Sequence, residues 1–152
     1  MFWGSFAGTK KGPSVVWDKD WGRITSEAYC KRILPLIYEF WLQNPHLSIQ
    51  HDNAPARGAA ATTQWINERF PSGTFIDWPS RSPDLNPIEH VWHWMKNWID
   101  INCPRRVTGL QLKEVVREAW AAVPQEYLAR LLASMPRRIQ AVISANGGYS
   151  GY

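Results

Sequence analysis

The order of predicted elements along these 152 residues indicates an α/β protein with a sheet that is at least partly parallel. Aromatic and β-branched runs at 1–7 and 13–17 flank the turn-rich segment GTKKGP, which predicts a hairpin. Further along, short strand-like runs alternate with helical segments, and that alternation favours parallel pairing. The last third of the sequence contains helical segments only, which predicts a helical tail.

The composition is that of a folded protein with a modest positive charge. Hydrophobic residues make up 45% of the chain and ten residues are Trp, so a core can form, while 20% charged residues argue against disorder. The net charge of +4 and the isoelectric point near 9.3 slightly favour an anionic partner. Two cysteines without a metal-finger spacing indicate free thiols in a reducing compartment. We expect no membrane span and no signal peptide.

The middle of the chain alternates between the two element types. LSIQHD has a period of two and predicts a strand that ends at Asp52, whereas NAPARG has the composition of a turn. GTFIDWP predicts another short strand, followed by the loop SRSPDLNP. A helix capped by Thr25 or Ser26 is expected to run through Phe40, with a kink or a break at Pro35, and another is expected from Ala59 to Phe70.

A strong helix start follows the loop. Asn86 is the predicted N-cap and Pro87 the first helical residue. Apolar residues then recur at helical spacing: Ile88, Val91, Trp92, Met95 and Ile99. Three more helices are predicted at about 109–122, 124–134 and 136–145, with Asn146-Gly147-Gly148 ending the last.

Two acids stand where chemistry is expected. Asp52 ends a strand and Glu89 opens a helix, and sites in open α/β sheets lie beyond the carboxyl ends of strands. Two such carboxylates favour a hard divalent cation, Mg²⁺ or Mn²⁺. The alternative for Asp52 is ordinary turn chemistry. Glu89 lies three residues after Asn86, so it could instead form a capping box with the Asn86 backbone.

Other candidate residues have structural alternatives that are as good or better. His90 and His93 could ligate zinc, but Glu-His-x-x-His is not the zinc-hydrolase order, and surface or helix-flank imidazoles are the better interpretation. The Trp residues could stack on bases, yet Trp65, Trp92 and Trp120 fall on apolar helix faces and predict core packing. The pairs Arg105-Arg106 and Arg137-Arg138 could contact phosphates or simply be solvated.

Three segments in this order resemble one family: FWGSFAG with KKGP, QHDNAPAR, and DWPSRSPDLNPIEHVW. They are similar to the catalytic domain of Tc1/mariner-like transposases, the DDE superfamily endonucleases. The terminal segment SMPRRIQAVISANGGYSGY resembles the usual end of such transposases, so the likeness covers nearly the whole chain.

The resemblance implies an RNase H-like mixed sheet flanked by helices, here truncated at its N-terminus, and metal-dependent DNA strand cleavage and transfer. In the family, three carboxylates bind two Mg²⁺ or Mn²⁺ ions. Asp52 matches the second acid and Glu89 the third. The remaining matches support these acids: Asn53 and Pro55 surround the second, and Asp84, Asn86 and Pro87 belong to the loop that positions Glu89.

Three departures from the family qualify this expectation. The family's first Asp lies upstream of the strand with which these residues begin, as does a DNA-binding helix-turn-helix region, and no Asp precedes Asp18. The acids are also spaced slightly more widely than in the best-known members. Arg57 stands where the family often has His, either to grip phosphate or as a mark of decay. We therefore expect this polypeptide alone to be inactive, because metal placement tolerates little error.

The predicted organisation is a partial RNase H-like DDE catalytic domain over 1–104 and a helical C-terminal extension of that domain over 105–152. The expected partners are DNA and a second copy of the chain, with no membrane and no small-molecule substrate. The expected location is the nucleus of a eukaryote or otherwise the cytoplasm. The alternative function is a non-catalytic transposon remnant that binds DNA or a partner chain. A zinc hydrolase using His90 and His93 is a third, weaker hypothesis.

Overall fold

The computed structural model describes residues 1–52, 54–79, 82–103 and 107–148. Its helices are connected by short segments that include 3-10 turns at Lys19–Trp21 and Pro83–Leu85. The regular elements, in chain order, are β1 (Phe2–Ala7), β2 (Lys10–Val16), α1 (Ser26–Arg32), α2 (Leu34–Leu42), α3 (Pro55–Gly58), α4 (Ala60–Arg69), α5 (Ile88–Asn102), α6 (Gly109–Ala122), α7 (Gln125–Ala133) and α8 (Met135–Ser144).

The predicted N-terminal hairpin is present as the pair β1-β2. Its turn is only Gly8-Thr9, shorter than the segment GTKKGP suggested. Gly8 has a φ of 60°, as the first central residue of a type II′ turn requires, and glycine adopts this angle without strain. Because the turn needs just two residues, β2 begins at Lys10 rather than Pro13.

The two predicted inner strands are much reduced. In place of strands at LSIQHD and GTFIDWP, the described residues form one parallel bridge between Ile49 and Phe75. The Ile49 N–H donates to the Thr74 carbonyl (2.8 Å), and the Ile76 N–H donates to the Ile49 carbonyl (2.9 Å). The ladder stops there because each partner bends away. Asp52 accepts a hydrogen bond from the Ala54 N–H, and the Thr74 N–H closes a turn onto the Pro71 carbonyl.

Helix predictions are confirmed along most of the chain. Thr25 caps α1 through its hydroxyl, and the first predicted helix is broken at Ile33, just before Pro35. Helices α4 and α6 to α8 lie where apolar periodicity placed them, and α8 ends at Asn146 and Gly147 with positive φ angles.

The prediction of a turn at NAPARG is wrong, because Pro55–Gly58 forms a helical turn. The Ala54 carbonyl accepts hydrogen bonds from the Arg57 and Gly58 N–H groups at 2.7 and 3.1 Å. Pro55 favours this start, since its fixed φ suits the first helical position and it has no N–H to lose.

The chain divides into two compact units. The first comprises Met1, Trp3 and Gly12–Arg81, and the second comprises Phe2, Gly4–Lys11 and Ser82–Tyr152. The predicted boundary between 104 and 105 falls outside the described residues and stays a prediction.

Each unit has its own apolar core. The core of the first unit contains Trp17, Tyr29, Ile33, Leu34, Ile37 and Phe70. The core of the second contains Val91, Met95, Ala119, Trp120, Val123, Leu128 and Leu131. Trp65 packs against the first core and Trp92 against the second, while Trp120 is buried, so the core role predicted for these three tryptophans is confirmed.

Candidate functional site

Asp52 lies in the first unit, three residues after the Ile49 bridge. Its Oδ1 atom accepts a hydrogen bond from the Ala54 N–H (3.0 Å), which forms a local turn, and it pairs with the Arg57 guanidinium. The side chain remains 41% exposed. The carboxylate is therefore oriented by its own loop and by α3 while still being open to solvent.

Arg57 connects this carboxylate to the buried core. Its guanidinium carbon lies over the Tyr29 ring, 5.7 Å from the ring centre. Tyr29 is 1% exposed. Burial raises the pKa of Tyr29 to about 12, against the opposing charge of Arg57, so the hydroxyl stays neutral. Arg57 thus bridges an anionic partner and a neutral one.

The same neighbours determine the charge of Asp52. Partial burial acts to raise the pKa of this carboxyl group, but the hydrogen bonds from Arg57 and Ala54 and the positive charge of Arg57 outweigh it. The net effect lowers the pKa below its ordinary value, so Asp52 is ionised at neutral pH.

His51 is the neutral neighbour of Asp52. Its imidazole packs against the Phe75 ring with centroids 4.9 Å apart, and its Nδ1 atom is buried with no hydrogen-bond partner among the described residues. Burial, followed by the charge of Arg57, lowers the pKa of His51 to about 4. His51 therefore adds no charge beside Asp52 at neutral pH.

Glu89 lies in the second unit, in the first turn of α5, and its side chain is exposed. Its carboxylate makes no hydrogen bond or ion pair with the described residues, although its backbone N–H donates to the Asn86 carbonyl (3.2 Å). The capping-box alternative is not what forms: the Asn86 N–H donates to the Pro83 carbonyl (3.0 Å), and α5 has no side-chain cap. Asn86 closes the preceding 3-10 turn, and Pro87, already helical, takes the cap position, so the predicted N-cap was one residue too early.

The loop before Glu89 is held by packing. Leu85 and Pro87 are buried, and α8 packs against Pro83–Leu85 within the same unit. The backbone of Asp84 belongs to that 3-10 turn. Asn53 lies outside the described residues, so its predicted supporting role stays a prediction.

A buried arginine, which the sequence did not suggest, lies behind the helix of Glu89. Arg138 is 3% exposed, its Nε donates to the Ser134 hydroxyl (2.8 Å), and its Nη1 lies 2.8 Å from the His90 Nε2. Both predictions for Arg138, phosphate contact and solvation, are therefore wrong for this residue. No sequence signal marked this burial, because an Arg-Arg pair usually indicates a surface.

The zinc alternative gains no support. The His93 Nε2 lies 3.2 Å from the Asn97 amide nitrogen, and His90 faces Arg138. Nowhere in the described ranges do three or more His, Cys, Asp or Glu side chains gather as a metal site. Arg105 and Arg106 lie outside those ranges.

Asp52 and Glu89 each fit a hard divalent cation by donor chemistry. The polar contacts of Asp52 with described residues go to Oδ1, which leaves Oδ2, and the Glu89 side chain is exposed. Such carboxylate oxygens are the ligands that Mg²⁺ and Mn²⁺ prefer in proteins.

Comparisons with known proteins identify the family to which the chain belongs. The family model described as DDE superfamily endonuclease matches residues 22–106. The Tc1 transposase of Caenorhabditis elegans is 34% identical over 100% of this chain and 54% of its own length. The chain spans about half the length of the curated relatives it matches.

Solved structures show the same fold. The Mos1 transposase catalytic domain, solved with raltegravir and manganese, superposes with a TM-score of 0.79 at 17% identity, covering 97% of this chain and 76% of that one. A Mos1 paired-end complex with the left transposon end gives a TM-score of 0.80 at 18% identity, covering 97% and 44%. These matches confirm the predicted RNase H-like α/β fold. The chain belongs to the DDE superfamily endonucleases and is similar to the Tc1/mariner-like transposases among them.

Proposed function

We propose that these residues supply the second and third carboxylates, Asp52 and Glu89, of a DDE transposase site for metal-dependent DNA strand cleavage and transfer. The observation that carries the proposal is that both acids lie in family motifs inside the matched range and both keep exposed oxygens. Pro55, Asp84, Asn86, Pro87 and Asn53 are proposed as supporting residues.

Asp52 and Glu89 would hold Mg²⁺ or Mn²⁺. A bound divalent ion supplies positive charge to the oxygens of a phosphodiester and lowers the pKa of a coordinated water. The protein's contribution is orientation. The Ala54 N–H and Arg57 hold the Asp52 carboxylate in one direction, and the buried loop at Leu85 and Pro87 fixes the start of α5.

The proposed substrate is DNA, in a eukaryotic nucleus. Mos1, a protein of the same fold, has been solved with a transposon end, and the net charge of +4 supports an anionic partner. The chain is proposed to work as a homo-oligomer and without a small-molecule substrate. No helix in the described part of the chain is long and apolar enough to cross a membrane.

The 152-residue polypeptide is expected to be inactive by itself, because it contributes two acids to a site that uses three in the family. In that case it could still act as a module that binds DNA or a partner chain. A nicking assay on supercoiled plasmid with Mg²⁺ or Mn²⁺ tests this, and the expected result is no nicking. Nicking that disappears in Asp52→Ala would contradict the proposed inactivity.

The metal role is tested separately by Mn²⁺ binding, followed by electron paramagnetic resonance of the free ion. Asp52→Asn and Glu89→Gln should each weaken binding at least tenfold. Asp100→Asn, an exposed acid on the same helix as Glu89, is the matched control and should not. Binding that neither site substitution changes would refute the metal role and leave the non-catalytic module as the better function.

A further inference from the structure

Arg57 already places a positive charge on the oxygen of Asp52 that faces it. We propose that Arg57 is a built-in counter-cation that opposes a divalent ion at Asp52, so that Arg57 sets the metal concentration at which Asp52 is loaded. This inference rests on the proposed role of Asp52 as a metal ligand. It adds a regulatory residue that determines how readily the metal binds.

The position of Arg57 is fixed by its backbone. Its N–H donates to the Ala54 carbonyl at 2.7 Å, within the single helical turn of α3. The Ala54 N–H in turn donates to Asp52 Oδ1 at 3.0 Å. The turn at residues 54 to 57 therefore brings the Arg57 guanidinium back to the Asp52 carboxylate. The ion pair forms between residues that are close in the sequence.

Arg57 and a divalent ion compete for the same carboxylate. A guanidinium has donors only, with no lone pair to offer, so Arg57 cannot become a metal ligand itself. Its charge also repels a second cation placed at the same carboxylate, and this repulsion is strengthened because the Arg57 side chain is only 23% exposed. Metal binding at the free Oδ2 atom is therefore weakened by the guanidinium on Oδ1, and an ion that also takes Oδ1 has to displace it.

Tyr29 gives the displaced guanidinium a place to remain. Its ring lies 5.7 Å beneath the guanidinium carbon of Arg57, and it belongs to the buried core. Arg57 therefore keeps its contact with the Tyr29 ring when Asp52 is taken by the metal. The cost of displacement is the Asp52 pair, which as a partly exposed ion pair corresponds to a modest change in affinity.

The test is the Mn²⁺ dissociation constant of the 152-residue chain in four proteins: wild type, Arg57→Gln, Arg69→Gln and Asp52→Asn. Arg69→Gln is the matched control, because Arg69 is in the same unit, pairs with Glu68 and packs on Trp65. Arg57→Gln should bind Mn²⁺ about threefold to fivefold more tightly than wild type. Arg69→Gln should stay within about twofold of wild type, since it removes the same charge farther away.

The outcomes separate the two proposals. If Asp52→Asn binds Mn²⁺ like wild type, the metal role of Asp52 fails, and this inference with it. If Asp52→Asn loses binding but Arg57→Gln binds no more tightly than Arg69→Gln, the counter-cation role alone is overturned. Circular dichroism checks folding. Should Arg57→Gln not fold, Arg57→Lys decides: an affinity between wild type and threefold tighter supports the proposal, and an unchanged or weaker affinity overturns it.

Discussion

The two acids of the proposed site are held in opposite ways. Asp52 sits in a loop and is held by polar contacts, from the Ala54 N–H and from an arginine that itself packs over the ring of buried Tyr29. Glu89 makes no polar side-chain contact with described residues, and the helix beneath it is held by apolar packing through Val91 and Met95.

This contrast shows two physical ways to position a carboxylate. Polar contacts orient the Asp52 group itself, and they depend on charge and pH. Apolar packing fixes the backbone of Glu89 and leaves its carboxylate without a polar partner among the described residues. The position of Glu89 therefore depends on how the core side chains fill their volume. Substitutions in the two units should therefore have different signatures.

The largest effect is expected from the core beneath Glu89. Met95 is 4% exposed, and Met95→Ala should lower the free energy of unfolding by about 2–5 kcal/mol, because it leaves a cavity in a packed core. Urea denaturation measures this. Lys96→Ala, at the exposed neighbouring position, should stay within about 0.5 kcal/mol of wild type. Equal losses in both variants would contradict apolar anchoring of α5.

The buried arginine behind α5 should come next. Arg138→Met removes the donors that face Ser134 and His90, and it should cost about 1–3 kcal/mol because buried acceptors lose their partner. Arg137→Met, at the exposed position beside it, should cost less than about 0.5 kcal/mol. A mutant at 138 as stable as the one at 137 would show that the Arg138 contacts do not stabilise this unit.

The polar unit should be more sensitive to acid. Because the pKa of His51 is lowered to about 4, the unfolded state binds more protons than the folded state between that value and about 6.5. Stability is therefore present above pH 6.5 and is lost as the pH falls. The groups facing His51 are Asp52, Arg57 and the Phe75 ring.

We expect His51 to account for a loss of about 2 kcal/mol between pH 8 and pH 5. Urea denaturation at both pH values, compared with His51→Gln, measures this share. The glutamine variant should lose that much less on acidification. The same pH dependence in both proteins would place the imidazole in an ordinary solvated environment.

The smallest expected effect is the difference between Asp52 and Glu89 in their coupling to a neighbouring side chain. A double-mutant cycle of Asp52→Asn with Arg57→Gln should give a coupling free energy of about 0.2–1 kcal/mol, since the pair is partly exposed. The matched cycle of Glu89→Gln with His93→Gln, one turn apart on α5, should give a value near zero at pH 8. Equal coupling free energies in the two cycles would contradict the contrast between an Asp52 carboxylate held by Arg57 and a Glu89 carboxylate with no polar partner among the described residues.

Local sequence patterns predicted the helices well. The strands were predicted less well because their length depends on contacts between distant parts of the chain. Periodic apolar residues placed α6 to α8, and the position of Pro35 located the break between α1 and α2. The strands around Ile49 and Phe75 were overestimated, because alternation indicates a strand but not how long its partner stays paired. The helical turn at Pro55 was missed because proline is common both in turns and at the first position of a helix.

For the candidate site, motifs identified the acids but not their surroundings. Asp52 and Glu89 followed from segments that resemble the family, and their joint role is still a prediction. The contact of Arg57 with Tyr29 connects α3 to α1, which are far apart in the sequence. No spacing rule relates residues 29 and 57. The burial of Arg138 was equally hidden, because charged residues are mostly exposed and an Arg-Arg pair usually indicates a surface.

A double-mutant cycle on Mn²⁺ affinity tests most directly whether Asp52 and Glu89 share one ion. Asp52→Asn, Glu89→Gln and the double variant are compared with wild type. If both acids ligate the same ion, either single substitution should remove most of the affinity, and the double variant should lose little more. Losses that simply add, or a loss confined to one of the two single variants, would contradict a shared metal site.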